Sequence, residues 1–426
     1  MLVSRTIVII STLDTKGEET KYLKEQIEKK GCQALVIDIS TRNTPAALAD
    51  VSRNEVLAAT GKEIDSEALA KDRPQLIKLT VEGAGKKVNE LYAVNRLHGI
   101  IGLGGATGTL MSTGVMKALP FGVPKLMISS VAAARGLTSR YFGTADIAIM
   151  HSVIDFTGLN DLMQDILDRA AGSIVGMMEM KEAVSAVGVG RRKNKRLVAM
   201  TLLNMCEKCA SHVRRQLEQE GYQVIGFSAT GVPDQAMEEL IEKEKIFSAV
   251  IDLAPGAVGE ELLGGTRAAG PHRLEAAGKA GIPQVIAPCL VNIMTPPKSK
   301  YKPEYYQRKR YDLDSLRSYL RVSAEELAMV AETFAQKLNQ AKGPVKIIIP
   351  TRGWSGIDNE GAILYEPETD RIFTEKLRNR LRPEIEIREV EANLEEPEFA
   401  EAVLKAFRDV MNAAESQAIK PQTVNY

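Results

Sequence analysis

TIVIISTLDTKGEETKYLKEQIEKKGCQALVID, residues 6–38, decides the fold. It opens with a continuous β-branched run over 6–10, the pattern of a parallel strand buried on both faces. A polar turn follows over 11–17, then a helical stretch over 18–30. Gly31 closes that helix, as a residue that readily takes the left-handed conformation at a helix end. The run 34–38 is a second strand. Strand, helix and strand together make a βαβ unit, which crosses over right-handed.

Outward from this unit, residues 42–75 are polar and broken, with a short helix over 54–59. A helix over 77–92 leads to a strand ending at Ile101. GLGGATGT, 102–109, comes next, then a helix over 110–118 and strands over 125–128 and 146–150. The stretch 160–187 reads as one long helix. An offset of 190 lays 7–31 over 197–221, with Asp14 on Asn204 and Lys16 on Cys206. Gly122-Val123-Pro124-Lys125 similarly lies over Gly281-Ile282-Pro283-Gln284, and 249–252 takes the place of the strand before the glycine loop. Further strands fall at 345–349 and 385–390, with helices at 371–380 and 397–412 and a mobile tail after Ala413. The expected fold class is therefore α/β, with two Rossmann-like doubly wound parallel-sheet domains related by internal duplication. The expected division is an N-terminal nucleotide-binding domain over 1–175, a linker helix over 176–194 and a C-terminal domain over 195–426.

Composition narrows the function. The 426 residues carry 55 basic and 55 acidic side chains, which argues against a nucleic-acid footprint. The basic run 191–196 reads as a solvated linker. No stretch approaches about 18 uninterrupted apolar residues, so no membrane span is expected. The N-terminus lacks a long apolar core and small-residue cleavage site. Four cysteines in so long a chain make no disulfide framework. A cytoplasmic protein is expected.

The glycine loop fits neither familiar phosphate motif. Gly102 and Gly104 match the dinucleotide fingerprint, but Thr107 stands at its sixth position, and the Walker Gly-Lys-Ser/Thr triplet is missing. The physics behind those motifs still applies. A glycine-rich turn from a parallel strand into a helix lets main-chain amides approach an anion, and the helix N-terminus adds partial positive charge. Gly102, Gly104, Gly105 and Gly108 together suggest a close approach by a phosphate or carboxylate; a tight packing turn is the alternative. The turn Asp14-Thr15-Lys16-Gly17 also follows a strand and opens a helix. It would share the carboxyl edge of the sheet, where open α/β sheets bind ligands. Lys16 could neutralise a phosphate, and Asp14 could hold a ribose hydroxyl or a metal, or simply cap its helix. Ser129-Ser130 and His151-Ser152 end strands on the same edge.

Other candidates are weaker. Cys206-Glu207-Lys208-Cys209 is a C-x-x-C at a strand-to-helix turn, read either as a redox or metal pair or as two incidental small residues. His98 reads as structural, His212 lies on a helix face and His272 in a polar loop. His151 is the most site-like histidine. Glu260-Glu261 is a ligand-facing acidic pair or a solvated helix start. The aromatic and basic stretch 301–311 suits a lid or a subunit contact.

These segments together resemble one family. STLDTKG at 11–17, GLGGATGT at 102–109, ALPFGVPK at 118–125 and GTADI at 143–147 through Gly158-Leu159-Asn160 are similar to the Tm-1-like ATP-binding family, UPF0261. AGPHRLEAA at 269–277, GIPQV at 281–285 and Gly343-Pro344 with the strand to Arg352-Gly353 resemble its C-terminal unit. The resemblance covers nearly the whole chain and implies ATP, with or without Mg2+, in the first Rossmann-like unit. Mapped here, the nucleotide site would use Thr12, Asp14, Thr15, Lys16, Gly104, Gly105, Thr107, Gly108, Thr109, Ser129 and Ser130, with no dedicated metal site. A homodimer is expected, with a small-molecule nucleotide as partner. The alternatives are a catabolic enzyme holding an organic acid or phosphorylated metabolite in an interdomain cleft, with His151, Asp155 and Glu260 as acid or base candidates, and a regulatory binder without chemistry.

Overall fold

The computed structural model describes residues 5–42, 48–63, 69, 71–134, 138–188, 196–315 and 317–419. The chain divides into two compact units, Met1–Arg192 and Lys193–Tyr426.

In the first unit, strands β1 (Thr6–Ser11), β2 (Gln33–Asp38), β3 (Gly99–Gly104), β4 (Lys125–Ser129) and β5 (Ala148–His151) form one sheet. Its order is β2-β1-β3-β4-β5 and every pairing is parallel. Ile7 and Ile9 pack on one face with Leu23 and Ile27 of the Leu13–Lys29 helix and Leu167 and Ile174 of the Asp161–Gly188 helix. Val8 and Ile10 pack on the other with Val88, Met111 and Val115. Both faces are covered, which is why β1 reads as an unbroken apolar run. Each such aliphatic side chain contributes about 1.5–3 kcal/mol when fully buried. The expected linker over 176–194 begins inside the Asp161–Gly188 helix, whose Met178 is still buried in this core. Residues 189–195 lie outside the described residues.

The glycine segment differs from its sequence reading. β3 runs on to Gly104 and the next helix starts at Ala106, so Gly105 alone forms the turn. Gly102 and Gly104 are strand residues held by packing. A Cβ on Gly102 would lie 2.7 Å from Ser112 Cβ, and one on Gly104 would lie 2.9 Å from Gly108 Cα.

The second unit adds β6 (Arg196–Leu202), β7 (Tyr222–Ser228), β8 (Phe247–Asp252), β9 (Gln284–Ile286), β10 (Ile293–Met294), β11 (Arg310–Asp312), β12 (Ser318–Arg321), β13 (Val345–Pro350) and β14 (Glu386–Val390). Its large sheet has the order β14-β13-β9-β8-β6-β7 and is parallel throughout. Taken from β7, the order β7-β6-β8-β9-β13 repeats β2-β1-β3-β4-β5, with β14 added at the edge. The duplication extends to dihedrals. Lys16 breaks its helix at φ −137°, ψ 29°, and its counterpart Cys206 precedes the Glu207–Gln219 helix at φ −128°, ψ 21°. Gly31 and Gly221 end the two matching helices at φ 80° and 88°. An antiparallel ribbon, β10-β12-β11, completes this unit. The last helix is Pro397–Ile419, so the tail expected after Ala413 is helical for another six residues, to Ile419. Its Val410 and Met411 anchor it in the core.

Candidate functional site

In a sheet ordered β2-β1-β3-β4-β5, the strand order reverses between β1 and β3, and the turns leaving those strands flank a crevice at the carboxyl edge. Here the turn after β1 supplies Thr12, Asp14, Thr15 and Lys16, and the turn after β3 supplies Gly105, Ala106, Thr107 and Gly108. They line one open cleft of about 190 Å³ together with Thr41, Arg42 and Arg73.

The β1 turn is built by its own main chain. The Thr12 carbonyl accepts from the amides of Thr15 and Lys16 at 3.1 and 3.0 Å. Thr20 Oγ1 donates to the Lys16 carbonyl at 2.6 Å and lies 2.7 Å from Ser11 Oγ, which fixes the break at Lys16. The segment after β2 clamps the turn from the side. Asp38 accepts from the Leu13 and Ser40 amides, and Ser40 Oγ accepts from the Asp14 amide at 3.0 Å. Asp14 has both oxygens engaged, by Thr15 Oγ1 at 3.4 Å and by the Arg42 amide at 3.3 Å. Lys16 Nζ lies 5.2 Å from the Phe156 ring centroid, a cation–π placement. Gly105 caps the Ala106–Met116 helix without a side-chain bond of its own.

The sequence-expected residues fall into a cleft group, a group behind it, and Ser130 beside Asp155. Thr12, Asp14, Thr15, Lys16, Gly105, Thr107 and Gly108 share the cleft. Gly104, Thr109 and Ser129 form the wall behind it. Thr109 Oγ1 and Ser129 Oγ lie 2.7 Å apart, both fully buried, so these hydroxyls bind each other. Ser130 donates to Asp155 Oδ1 at 3.1 Å, and both stand about one van der Waals contact from where a Gly105 Cβ would be. His151 is exposed at the end of β5, in register with Ser129. Arg42 and Arg73 escaped sequence reasoning. Arg42 could have been found as the residue leaving a third strand end; Arg73, in the first turn of the Arg73–Ala93 helix, carries no such signal.

The second unit has filled the matching places. Glu395 accepts from the Lys208 amide at 3.1 Å and the Cys209 amide at 3.4 Å, at the start of the Glu207–Gln219 helix. Burial raises its carboxyl above the usual range, against those amide bonds. Among the described residues, no side chain accepts from the corresponding Glu18 and Glu19 amides. The counterpart of the glycine turn, after β8, is buried from 251 to 260. Asp252 at the end of β8 binds Arg273 Nη2 at 2.8 Å and Thr201 Oγ1 at 2.6 Å. Arg273, 1% exposed, also pairs with Asp234 and Glu238.

Glu260 belongs to this interior. It is fully buried, with Arg267 Nη2 at 2.6 Å and Thr295 Oγ1 at 2.9 Å. The solvated helix start expected for Glu260 is thus corrected: a guanidinium partner makes its burial tolerable. Cys206, Cys209 and Cys289 are free thiols in the hydrophobic core. Burial, and then the proximity of Cys206, pushes Cys209 and Cys289 well above ordinary thiol values, which opposes thiolate chemistry. Among the described residues, no three His, Cys, Asp or Glu side chains gather to hold a metal ion. No helix among them is long and apolar enough to cross a membrane.

Two doubly wound α/β units of one topology, one with an open crevice and one with its counterpart filled, define a duplicated Rossmann-like protein. The chain belongs to the UPF0261 family: the N-terminal domain of that uncharacterised protein family matches residues 5–183 and its C-terminal domain 195–411. A UPF0261 protein of Clostridium tetani is 34% identical over 410 residues, covering 96% of this chain and 99% of that one. A UPF0261 protein of Brucella suis is 32% identical over 406 residues, covering 95% of each. The ToMV resistance protein Tm-1(GCR237) of Solanum lycopersicum is 28% identical over 429 residues, covering 96% of this chain and 56% of that protein.

Proposed function

We propose that the first unit binds ATP or a closely related nucleotide by its phosphates, in a cytoplasmic homodimer. The observation that carries this reading is the convergence of two strand-to-helix turns on one cleft with Lys16, Arg42 and Arg73 around it. Helix N-termini and arginine forks favour phosphate oxygens. Among the described residues, Asp14 is the one acid lining the cleft, and its oxygens already accept hydrogen bonds. At about 190 Å³ the cleft is smaller than the ~300–1,000 Å³ of sites that enclose a whole ligand. It suits a phosphate chain, with the nucleoside lying outside it. Magnesium, when it accompanies the nucleotide, would be held by Asp14 and would offset phosphate charge.

Calorimetric titration with ATP, with and without magnesium, tests the reading. Saturable binding is expected, with Lys16→Ala and Arg73→Ala each weakening it about tenfold or more. ATP at about 100 times its dissociation constant should add ~2.7 kcal/mol to the stability of the native state. The absence of heat and of stabilisation with every triphosphate would overturn it.

A further inference from the structure

Strand β11 is the outer strand of the antiparallel ribbon, and Arg310, Tyr311 and Asp312 are all exposed. The ladder pairs Tyr311 with Tyr319. On either side, the Arg321 amide donates to the Lys309 carbonyl at 3.0 Å and the Leu313 amide to the Arg317 carbonyl at 2.9 Å. Antiparallel ladders alternate. Residues 309, 311 and 313 therefore turn their main-chain groups toward β12, and Arg310 and Asp312 turn theirs outward. The Arg310 and Asp312 side chains share one face, with Nε and Oδ1 3.1 Å apart. Tyr311 points to the other and is 40% exposed.

We propose that this edge pairs antiparallel with the same edge of a second copy, about a twofold axis beside Tyr311. The inference deepens the homodimer reading above by naming its face. In this register Arg310 stands opposite Asp312 of the second copy, and the reverse. Each of these two pairs exchanges two amide-to-carbonyl bonds, because both residues have outward groups. On one face the side chains form a ring of alternating charge; on the other, Tyr311 meets its own copy. Parallel pairing would set arginine beside arginine, and a one-residue slip would bring outward groups against inward ones. Charges that usually blunt an edge strand here select one partner and one register. Leu313, 39% exposed and two residues on from Tyr311, extends the apolar face. A three-residue strand falls short of the ~1,200 Å² of a stable interface, so the dimer is a weak one that forms and dissociates with concentration.

Sedimentation velocity of the full chain, without nucleotide, from about 1 to 100 μM is the test. The expected result is a concentration-dependent shift from one chain to two. Asp312→Arg sets arginine against arginine and raises the dissociation constant at least about tenfold. Adding Arg310→Asp exchanges the signs and restores the dimer, with circular dichroism unchanged in both variants. A chain that stays single at every concentration overturns the dimer itself. A dimer that survives Asp312→Arg, or one that the exchanged pair does not restore, overturns this face alone. Neither result bears on nucleotide binding.

Discussion

Gly104 and Gly105 are neighbours with opposite tolerances. A methyl on Gly104 would press on the Gly108 backbone at 2.9 Å, whereas Gly105 has φ −79° and nothing closer than 3.7 Å to a new Cβ. Gly104→Ala should cost about 1–3 kcal/mol in urea unfolding, through strain in a packed turn. Gly105→Ala should cost less than about 1 kcal/mol yet lower nucleotide affinity, since its Cβ lies on the cleft wall. Equal stability losses in the two variants would contradict this division. The run of four glycines thus held a mixed message. Two of them are glycines because Ser112 and Gly108 come close, and only Gly105 and Gly108 face the crevice. Asp14 and Lys16 were legible because they leave a recognisable strand. Arg73 was not, because a single arginine in a polar segment has no periodic partner to betray its place.

Strands were the most legible elements, since β-branched runs buried on both faces leave little choice. Helix starts were less so: glycine and threonine at 105–109 weaken the helical pattern that nonetheless begins at Ala106. The C-x-x-C turn was placed correctly, but its burial depends on Cys289 and the Pro397–Ile419 helix, both distant in sequence. The same distance hid Glu395. Its carboxylate on the first turn of the Glu207–Gln219 helix completes the dipole of that element. Glu395→Ala should destabilise the protein by about 1–2 kcal/mol, and Glu395→Gln, which keeps an acceptor, by less. Urea midpoints of the two variants measure this, and an unchanged Glu395→Ala would remove the capping role.

For the whole molecule, the duplication was legible from an offset of 190, and the shared strand order bears it out. The β14 edge and the antiparallel ribbon have no counterpart among the described residues of the first unit and could not be read from the repeat. Stability against pH is also a property of the whole. Burial, aided by the nearby Asp358 and opposed by Arg321, pushes Asp370 up to about 7, and burial raises Asp234. Their unfolded values are near 3.9. The folded state then keeps protons that the unfolded chain releases, so the stability from Asp370 is complete below about pH 4 and is lost as pH rises through about 7, and that from Asp234 falls in the same sense. Glu275 works the other way. Burial opposes its ionisation, but hydrogen bonds from Lys279, Lys337 and His272 hold it down to about 2, so its contribution is lost only in strong acid. Urea unfolding should show stability falling between about pH 5 and 7.5, and Asp370→Asn should flatten that slope; an equal slope in the variant would remove Asp370 as its source. Glu395 has one more consequence. A carboxylate tethered to its own chain cannot be dialysed away, diluted or outcompeted at ordinary concentrations. That helix start carries its anion permanently, at an effective concentration fixed by the fold.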